Sequence, residues 1–313
     1  MTNPAVLITG ATGGLGRATA QELARRGYSL VLGGRRREAL ESECRALESR
    51  FGARARPWVA ELANLEEVRA AARELDGLPL RGIVANAGVT TTRDVRSADG
   101  YELTFAVNVL AHQLLLCLLE GQLVQGARVV IISSGVHEPG NKLARRAGIP
   151  VPRWVGAHNL ARPDAAAPAD RLPPGPQRYS TSKLGNVLQA RALQARLRAR
   201  GRDVDVFAVD PGLMVDTELA RELPAPLRLL FRAVGRLATP FVDNMRLSRV
   251  SARHVAALID APQWSGRGFA YLDGDRVKPP SSDALRDELA DALWRDANEL
   301  VALRDDDCAL PRA

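Results

Sequence analysis

Aromatic residues make up only 4% of this chain, and its positive charge rests on arginine, with lysine rare. The formal net charge is +7, from 43 Lys and Arg against 36 Asp and Glu. Nucleic-acid binders gather such charge beside stacking aromatics. Here the arginines are spread along the chain, so they read as solvated helix faces, some of them available to a phosphate-rich cofactor, and no nucleic-acid partner is expected. Cysteine is equally sparse. Cys44, Cys117 and Cys308 are odd in number and far apart, which excludes a disulfide framework or a C-x-x-C knuckle and suits a reducing, cytoplasmic setting. His112, His137, His158 and His254 lack metal-ligand spacing, so no metal is expected; they read as core or solvated residues, with His137 close enough to Ser134 to line a pocket. No run of about 18 apolar residues is evident, and Val6, Leu7 and Ile8 open a strand with no charged leader before them, so neither a membrane span nor export is expected.

What is present is a globular composition, 46% hydrophobic and 25% charged over 313 residues, long enough to bury a full core. Short β-rich runs alternate with helical patterns. Strands are predicted at Ala5–Thr9, Ser29–Leu32, Arg56–Val59, Gly82–Ala85, Arg128–Ser133 and Asp203–Val209. Helices are predicted at Gly16–Arg26, Arg37–Ser49, Leu65–Leu75, Tyr101–Gly121 and Ser180–Arg200. Strict alternation implies parallel strands joined by helical crossovers, hence a single-domain α/β Rossmann fold with a doubly wound sheet and helices on both faces. Two stretches interrupt it. Residues 138–178 hold prolines too densely for a long helix or a central strand. Residues 218–248 carry an apolar stripe of Leu227, Leu230, Phe231, Val234 and Leu237 beside Arg228, Arg232 and Arg236, the pattern of an amphipathic insertion.

After the first strand comes Thr9-Gly10-Ala11-Thr12-Gly13-Gly14-Leu15-Gly16. Glycines at a strand-to-helix turn let the backbone approach a pyrophosphate, which the helix N-terminus then holds. The second strand ends Leu32-Gly33-Gly34-Arg35-Arg36-Arg37, with no acid before Glu38. A guanidinium there suits the 2′-phosphate of NADP, and an acid would suit the ribose of NAD, so Arg35, assisted by Arg17, favours NADP(H); alternatively the arginines only begin a solvated helix. Tyr179 and Lys183, four apart, share one helix face. Lowering a phenol from about 10 to about 7 takes roughly 4 kcal/mol. One positive charge about 4 Å away supplies that order of energy at an effective dielectric near 20.

Taken in order, Thr9 to Gly16, Asn86-Ala87-Gly88, Asn108 in Val-Asn-Val, Ser133-Ser134, Tyr179 with Lys183, and Asp210-Pro211-Gly212 resemble the short-chain dehydrogenase/reductase family over roughly residues 5–217. The stretches Phe105–His112, Arg128–Ser134 and Tyr179–Asn186 look most like its retinol dehydrogenase and protochlorophyllide reductase-like branch. The resemblance implies hydride transfer between nicotinamide and a carbonyl or alcohol carbon. Tyr179 would be the general acid, Lys183 would lower its pKa and hold the ribose, Ser134 would bond the substrate oxygen, and Asn108 would hold a water linked to Lys183. For the cofactor it implies Gly10, Thr12, Gly14, Leu15 and Gly16, with Arg35, Asn86, Ala87, Gly88, Tyr179, Lys183, Pro211 and Gly212. Glu61-Leu62 stands where the family has Asp-Leu, and Thr217 lies a residue farther from Pro-Gly than usual.

Ser134 and Tyr179 are 45 residues apart, more than the family needs, so 138–178 is expected to pass near the substrate mouth as a lid and 218–248 to cap a bulky, largely apolar small-molecule substrate. The two helices Tyr101–Gly121 and Ser180–Arg200 pair subunits in many members, so a homodimer or homotetramer is expected, although the arginines of the second weigh against it. Reduction of a conjugated C=C bond, an epimerase that returns its hydride, and an NADP(H)-binding sensor or scaffold without chemistry are the competing functions.

Overall fold

The computed structural model describes residues 3–214 and 245–311. Along the chain run β1 (Ala5–Ile8), α1 (Gly14–Arg25), β2 (Ser29–Gly34), α2 (Arg37–Phe51), β3 (Ala55–Val59), α3 (Leu65–Arg73) and β4 (Leu80–Ala85). They are followed by α4 (Leu103–Phe105), a π-helical turn (Ala106–Leu110), α5 (Ala111–Leu119), β5 (Leu123–Ile132), α6 (Lys142–Arg146), α7 (Ala157–Ala161), α8 (Pro176–Ala199) and β6 (Val204–Asp210). The rest comprises β7 (Leu213–Met214), β8 (Met245–Arg246), α9 (Ser248–Asp260), β9 (Phe269–Asp273), β10 (Arg276–Val277) and α10 (Asp287–Leu300).

Eight strands form one sheet in the order β10-β9-β6-β5-β4-β1-β2-β3, parallel except for β10 on β9. The order reverses between β1 and β4, the switch point at which α/β sheets open a crevice beyond the strands' carboxyl ends. Successive β1 residues serve opposite faces. Val6 and Ile8 join a core with α1, α2 and α9, while Ala5 and Leu7 join one with α3, α5 and α8. Both faces are therefore covered, as the near-continuous apolar strands require.

Local chemistry sets several boundaries. Asn64 caps α3 by accepting from the N–H groups of Glu66 and Glu67, and left-handed Gly52 ends α2. Pro176 occupies the first turn of α8, where no N–H is needed, so this helix starts earlier than predicted and inside the proline-rich stretch. Strand β5 begins at Leu123 rather than Arg128, past a register shift opposite Leu80–Gly82 that its Gly126, at φ +72°, accommodates. The strands β9 and β10 extend the sheet beyond the predicted set.

Leu103–Gln122 is long and apolar enough to cross a membrane by length and composition, but Asn108, His112 and Gln113 interrupt its apolar run and 89% of its most apolar window is buried as a core helix. Much of 138–178 is pinned down. Arg153 donates to the carbonyls of Ala169 and Arg171, and buried Arg178 donates to the Leu172 carbonyl and pairs with Asp94 at 2.5 Å. Trp154 packs tilted against Phe105, 6.4 Å between centroids. Helix α10 covers α8: Arg196 lies over Trp294 and pairs with Asp291, and Arg191 pairs with Asp287. Most of 218–248, with its apolar stripe, and Thr217 lie outside the described residues.

Candidate active site

At the switch point the turns after β1 and β4 are stapled together. Thr9 Oγ1 accepts from the backbone N–H groups of Asn86 and Ala87, both at 2.9 Å, and Asn86 Nδ2 donates to the Thr9 carbonyl at 2.7 Å. Gly14 sits at φ +49°, and a Cβ on Gly16 would come within 2.6 Å of Asn86 Nδ2, so the turn admits no side chain at either position. Gly13 gives α1 no side-chain cap, and its first turn holds no acid. The helix therefore points unpaired N–H groups and the positive end of its dipole at the crevice, a cradle that fits a dinucleotide pyrophosphate. Gly10, half-buried Thr12 and Gly14, and buried Leu15 and Gly16 form this cradle, with Asn86, Ala87 and Gly88 on its far wall.

Farther out, Arg35 extends from the end of β2 with its side chain 69% exposed, 3.5 Å from Glu61. Glu61 also accepts from the Ala63 N–H at 3.0 Å, and Leu62 beside it is buried. The guanidinium is thus free to turn toward a phosphate at little cost, since an exposed ion pair is weak. Arg17 is engaged elsewhere, with Glu43 of α2 at 2.8 Å. On the opposite wall Gly212 donates its N–H to Asp210, while the Pro211 carbonyl accepts from Ser251.

The reaction end is built on α8. Tyr179, Ser182, Lys183 and Asn186 recur at helical spacing on one face. Buried Ser133 donates its hydroxyl to the Lys183 carbonyl at 2.8 Å, leaving half-buried Ser134 as the member of the pair whose hydroxyl, among the described residues, is held only by a long 3.5 Å contact from the Val136 N–H. Lys183 Nζ donates to the Ile132 carbonyl at 2.9 Å and to Asn186 Oδ1 at 3.3 Å, and lies 5.6 Å from the centre of the Tyr179 ring. Asn108 lies within the π-helical turn. Its side chain accepts from the Val89 N–H at 2.8 Å and donates to the Val89 carbonyl and to Ser182 Oγ. Such a turn leaves a helical carbonyl available for side chains. That of Asn108 accepts from Asn186 Nδ2 at 2.7 Å and faces His112 Nδ1 at 3.3 Å.

Burial pushes the Tyr179 phenol up to about 12, with the Asp210 carboxylate acting in the same direction. Burial pulls Lys183 down to about 8, and Asp210 opposes it. Spacing alone makes Lys183 the expected influence on the phenol; in the fold desolvation and Asp210 set the direction instead, so Tyr179 stays protonated at neutral pH, as a proton donor must. His112 is buried, and burial holds it down to about 4, so it is neutral. A second polar group borders the site. Tyr271 donates to Glu138 at 3.0 Å, Lys278 pairs with Glu138 and Asp273, and His137 Nδ1 donates to the Ser134 carbonyl at 2.7 Å.

Residue-by-residue reading misses the roles of His112, Ser182, Asn186 and Asp210 in this network. Tyr271 reads as packing, and it does stack edge-on against His137, but its hydroxyl is also engaged. The signal lies in the helical spacing of Ser182 and Asn186 from Tyr179 and Lys183, and of His112 from Asn108.

A doubly wound sheet with a dinucleotide cradle and a Tyr-Lys pair at the same crevice defines a nicotinamide-dependent oxidoreductase. The chain belongs to the short-chain dehydrogenase family. A family model described as short chain dehydrogenase matches residues 4–144. The chain is 34% identical to mouse (Mus musculus) polyprenol dehydrogenase over 304 residues, which covers 94% of this chain and 83% of that one. It is 31% identical to human (Homo sapiens) retinol dehydrogenase 12 over 306 residues, 96% of this chain and 86% of that one. These similarities place it in the retinol dehydrogenase-like branch. Among solved structures, an uncharacterised protein from Mycobacterium paratuberculosis superposes with a TM-score of 0.68 at 26% identity, covering 96% of this chain and 94% of that one. The NADP-bound angucycline C-6 ketoreductase LanV superposes with a TM-score of 0.63 at 22% identity over 87% and 95%, a likeness of fold.

Proposed function

We propose that the protein is an NADP(H)-dependent dehydrogenase/reductase that interconverts the carbonyl and alcohol forms of a bulky, largely apolar small molecule, with Tyr179 as general acid/base. The observation that carries this reading is the Tyr179–Lys183 pair, its ammonium anchored on Ile132 and Asn186 beside half-buried Ser134 and across from the glycine turn. The preference for NADP(H) is supported by exposed Arg35 at the end of β2, where no acid precedes Glu38. The bulky apolar substrate is supported by similarity to proteins named for polyprenol and retinol.

In reduction, Tyr179 donates its phenolic proton to the substrate oxygen while Ser134 hydrogen-bonds the same atom and orients it. The bound cofactor supplies the hydride. Gly10, Thr12, Gly14, Leu15 and Gly16 hold the pyrophosphate, Asn86, Ala87 and Gly88 line the wall above it, and Arg35 takes the 2′-phosphate. Lys183 offers its remaining N–H toward the phenol and the ribose; Pro211 and Gly212 close the nicotinamide end. Asn108 braces the Val89 turn against Ser182. A reducing, cytoplasmic setting is part of this reading, supported by the odd number and wide spacing of Cys44, Cys117 and Cys308. The test is turnover with NADPH against NADH over a panel of bulky aldehydes, ketones and conjugated enones, with product identification. Alcohol products and an NADPH preference are expected; saturated ketones with the C=C bond reduced would replace this reading with an enone reductase.

A further inference from the structure

Among the described residues, one buried polar chain runs from the glycine turn to Lys183. Thr9 Oγ1 already accepts from two backbone N–H groups, and its own proton goes to the nearer of two acceptors, His112 Nε2 at 3.0 Å against the Val84 carbonyl at 3.5 Å. His112 then carries its ring proton on Nδ1, toward the Asn108 carbonyl. That carbonyl also accepts from Asn186 Nδ2, and Asn186 Oδ1 accepts from Lys183 Nζ. Asn108, His112 and Asn186 are all at most 2% exposed. An amide presents a donor and an acceptor in fixed geometry, so one side chain satisfies both ends of the gap between the Asn108 carbonyl and the ammonium.

We propose that Asn186 is a positioning residue for Lys183: its amide is a fixed bridge from the Asn108 carbonyl to the ammonium. The inference rests on the functional reading above for its catalytic meaning. Held at both ends, the amide keeps the ammonium in one place. Lys183 is thereby braced against the helix that begins in the π turn, and through His112 and Thr9 against the cofactor turn. The charged and titratable groups facing Lys183 are Tyr179 on its own helix, Asp210 on β6 and neutral His112 on α5.

Lysine occurs only at Lys142, Lys183 and Lys278, so full-length protein labelled with 13C-lysine gives three side-chain signals, assigned with Lys142→Arg and Lys278→Arg. Their titration is followed by NMR in wild type, Asn186→Leu, Asn186→Ala and Asn186→Asp, with thermal melting as the check of folding. Leucine fills the space without an acceptor, and Lys183 is expected to titrate lower by about one pH unit, the worth of a hydrogen bond to a charged group. Alanine, which leaves room for a water, is expected to return part of that shift. Aspartate keeps an acceptor and adds charge, so Lys183 is expected to titrate higher than in wild type, which tests the contact even if the leucine variant does not fold. Folded variants in which Lys183 titrates as in wild type would overturn the proposal. The measurement needs no substrate. A shifted Lys183 in a protein without NADPH turnover would leave the bridge standing and remove the functional reading, and turnover with an unmoved Lys183 would do the reverse.

Discussion

Ser133 donates its hydroxyl to the carbonyl oxygen of Lys183 at 2.8 Å, tying the end of β5 to the second turn of α8. Two adjacent serines therefore do different work. Ser133→Ala removes a buried hydrogen bond and is expected to cost about 1–2 kcal/mol of stability, read as a lowered Tm. Ser134→Ala is expected to melt like wild type while kcat falls about 100-fold, the usual effect of removing one donor to a reacting oxygen. The reverse pattern in paired melting and rate measurements would exchange their roles.

Among the described residues Arg35 meets only Glu61, at 3.5 Å and largely exposed, so removing it costs the fold little. Arg35→Ala is expected to raise the KM for NADPH about 10- to 100-fold and leave that for NADH nearly unchanged, because only the 2′-phosphate loses a partner. Equal effects on both cofactors would show that this arginine does not read the phosphate.

His112 in the folded chain is held down to about 4 by burial, below its ordinary value of 6.5. Between those values the unfolded chain binds a proton that the folded chain refuses, so stability falls as pH drops through this window. The loss approaches about 3 kcal/mol at its lower end. His112→Gln, which cannot take up that proton, is expected to flatten the dependence of Tm on pH from 6.5 to 4. An unchanged slope would place the titrating group elsewhere.

Helix α10 lies over α8, and its Asn298 accepts from Gln113 of α5 at 2.7 Å. The surfaces through which subunit pairing was expected are thus already covered by the chain itself. Sedimentation velocity is expected to show no dimer held through α5 and α8. Cysteines placed at exposed α8 positions such as Arg198 are expected to react with a thiol reagent at the same rate at low and high protein concentration; concentration-dependent protection there would contradict this.

The alternation of strand and helix was legible because buried parallel strands must be apolar throughout, whereas their crossovers need only one apolar face. Strands β9 and β10 carry no such signal because they follow the interruption after β6, where alternation stops, and because β10 spans only two residues. The glycine turn, Asn108, Ser134, Tyr179 and Lys183 stand out in the sequence through type and order. The groups that brace them do not. Asn186 is one more polar residue on a long helix until the fold brings its amide to the Asn108 carbonyl. His112 is a core histidine in burial, and only the three-dimensional approach of Thr9, 103 positions away, shows that both its nitrogens are engaged. Asp210 is visible in Asp-Pro-Gly, but its influence on Tyr179 and Lys183 depends on the distance that packing sets.

The most direct test of the central claim is NADPH oxidation, followed at the nicotinamide absorbance with bulky carbonyl substrates, for wild type beside Tyr179→Phe. The phenylalanine keeps the ring and loses only the proton donor. Turnover by wild type and its collapse by about 100-fold or more in a variant that still binds NADPH is the predicted result. Equal turnover in the two proteins would contradict Tyr179 as the acid, and the absence of hydride transfer from bound NADPH to every carbonyl in the panel would contradict the proposed activity.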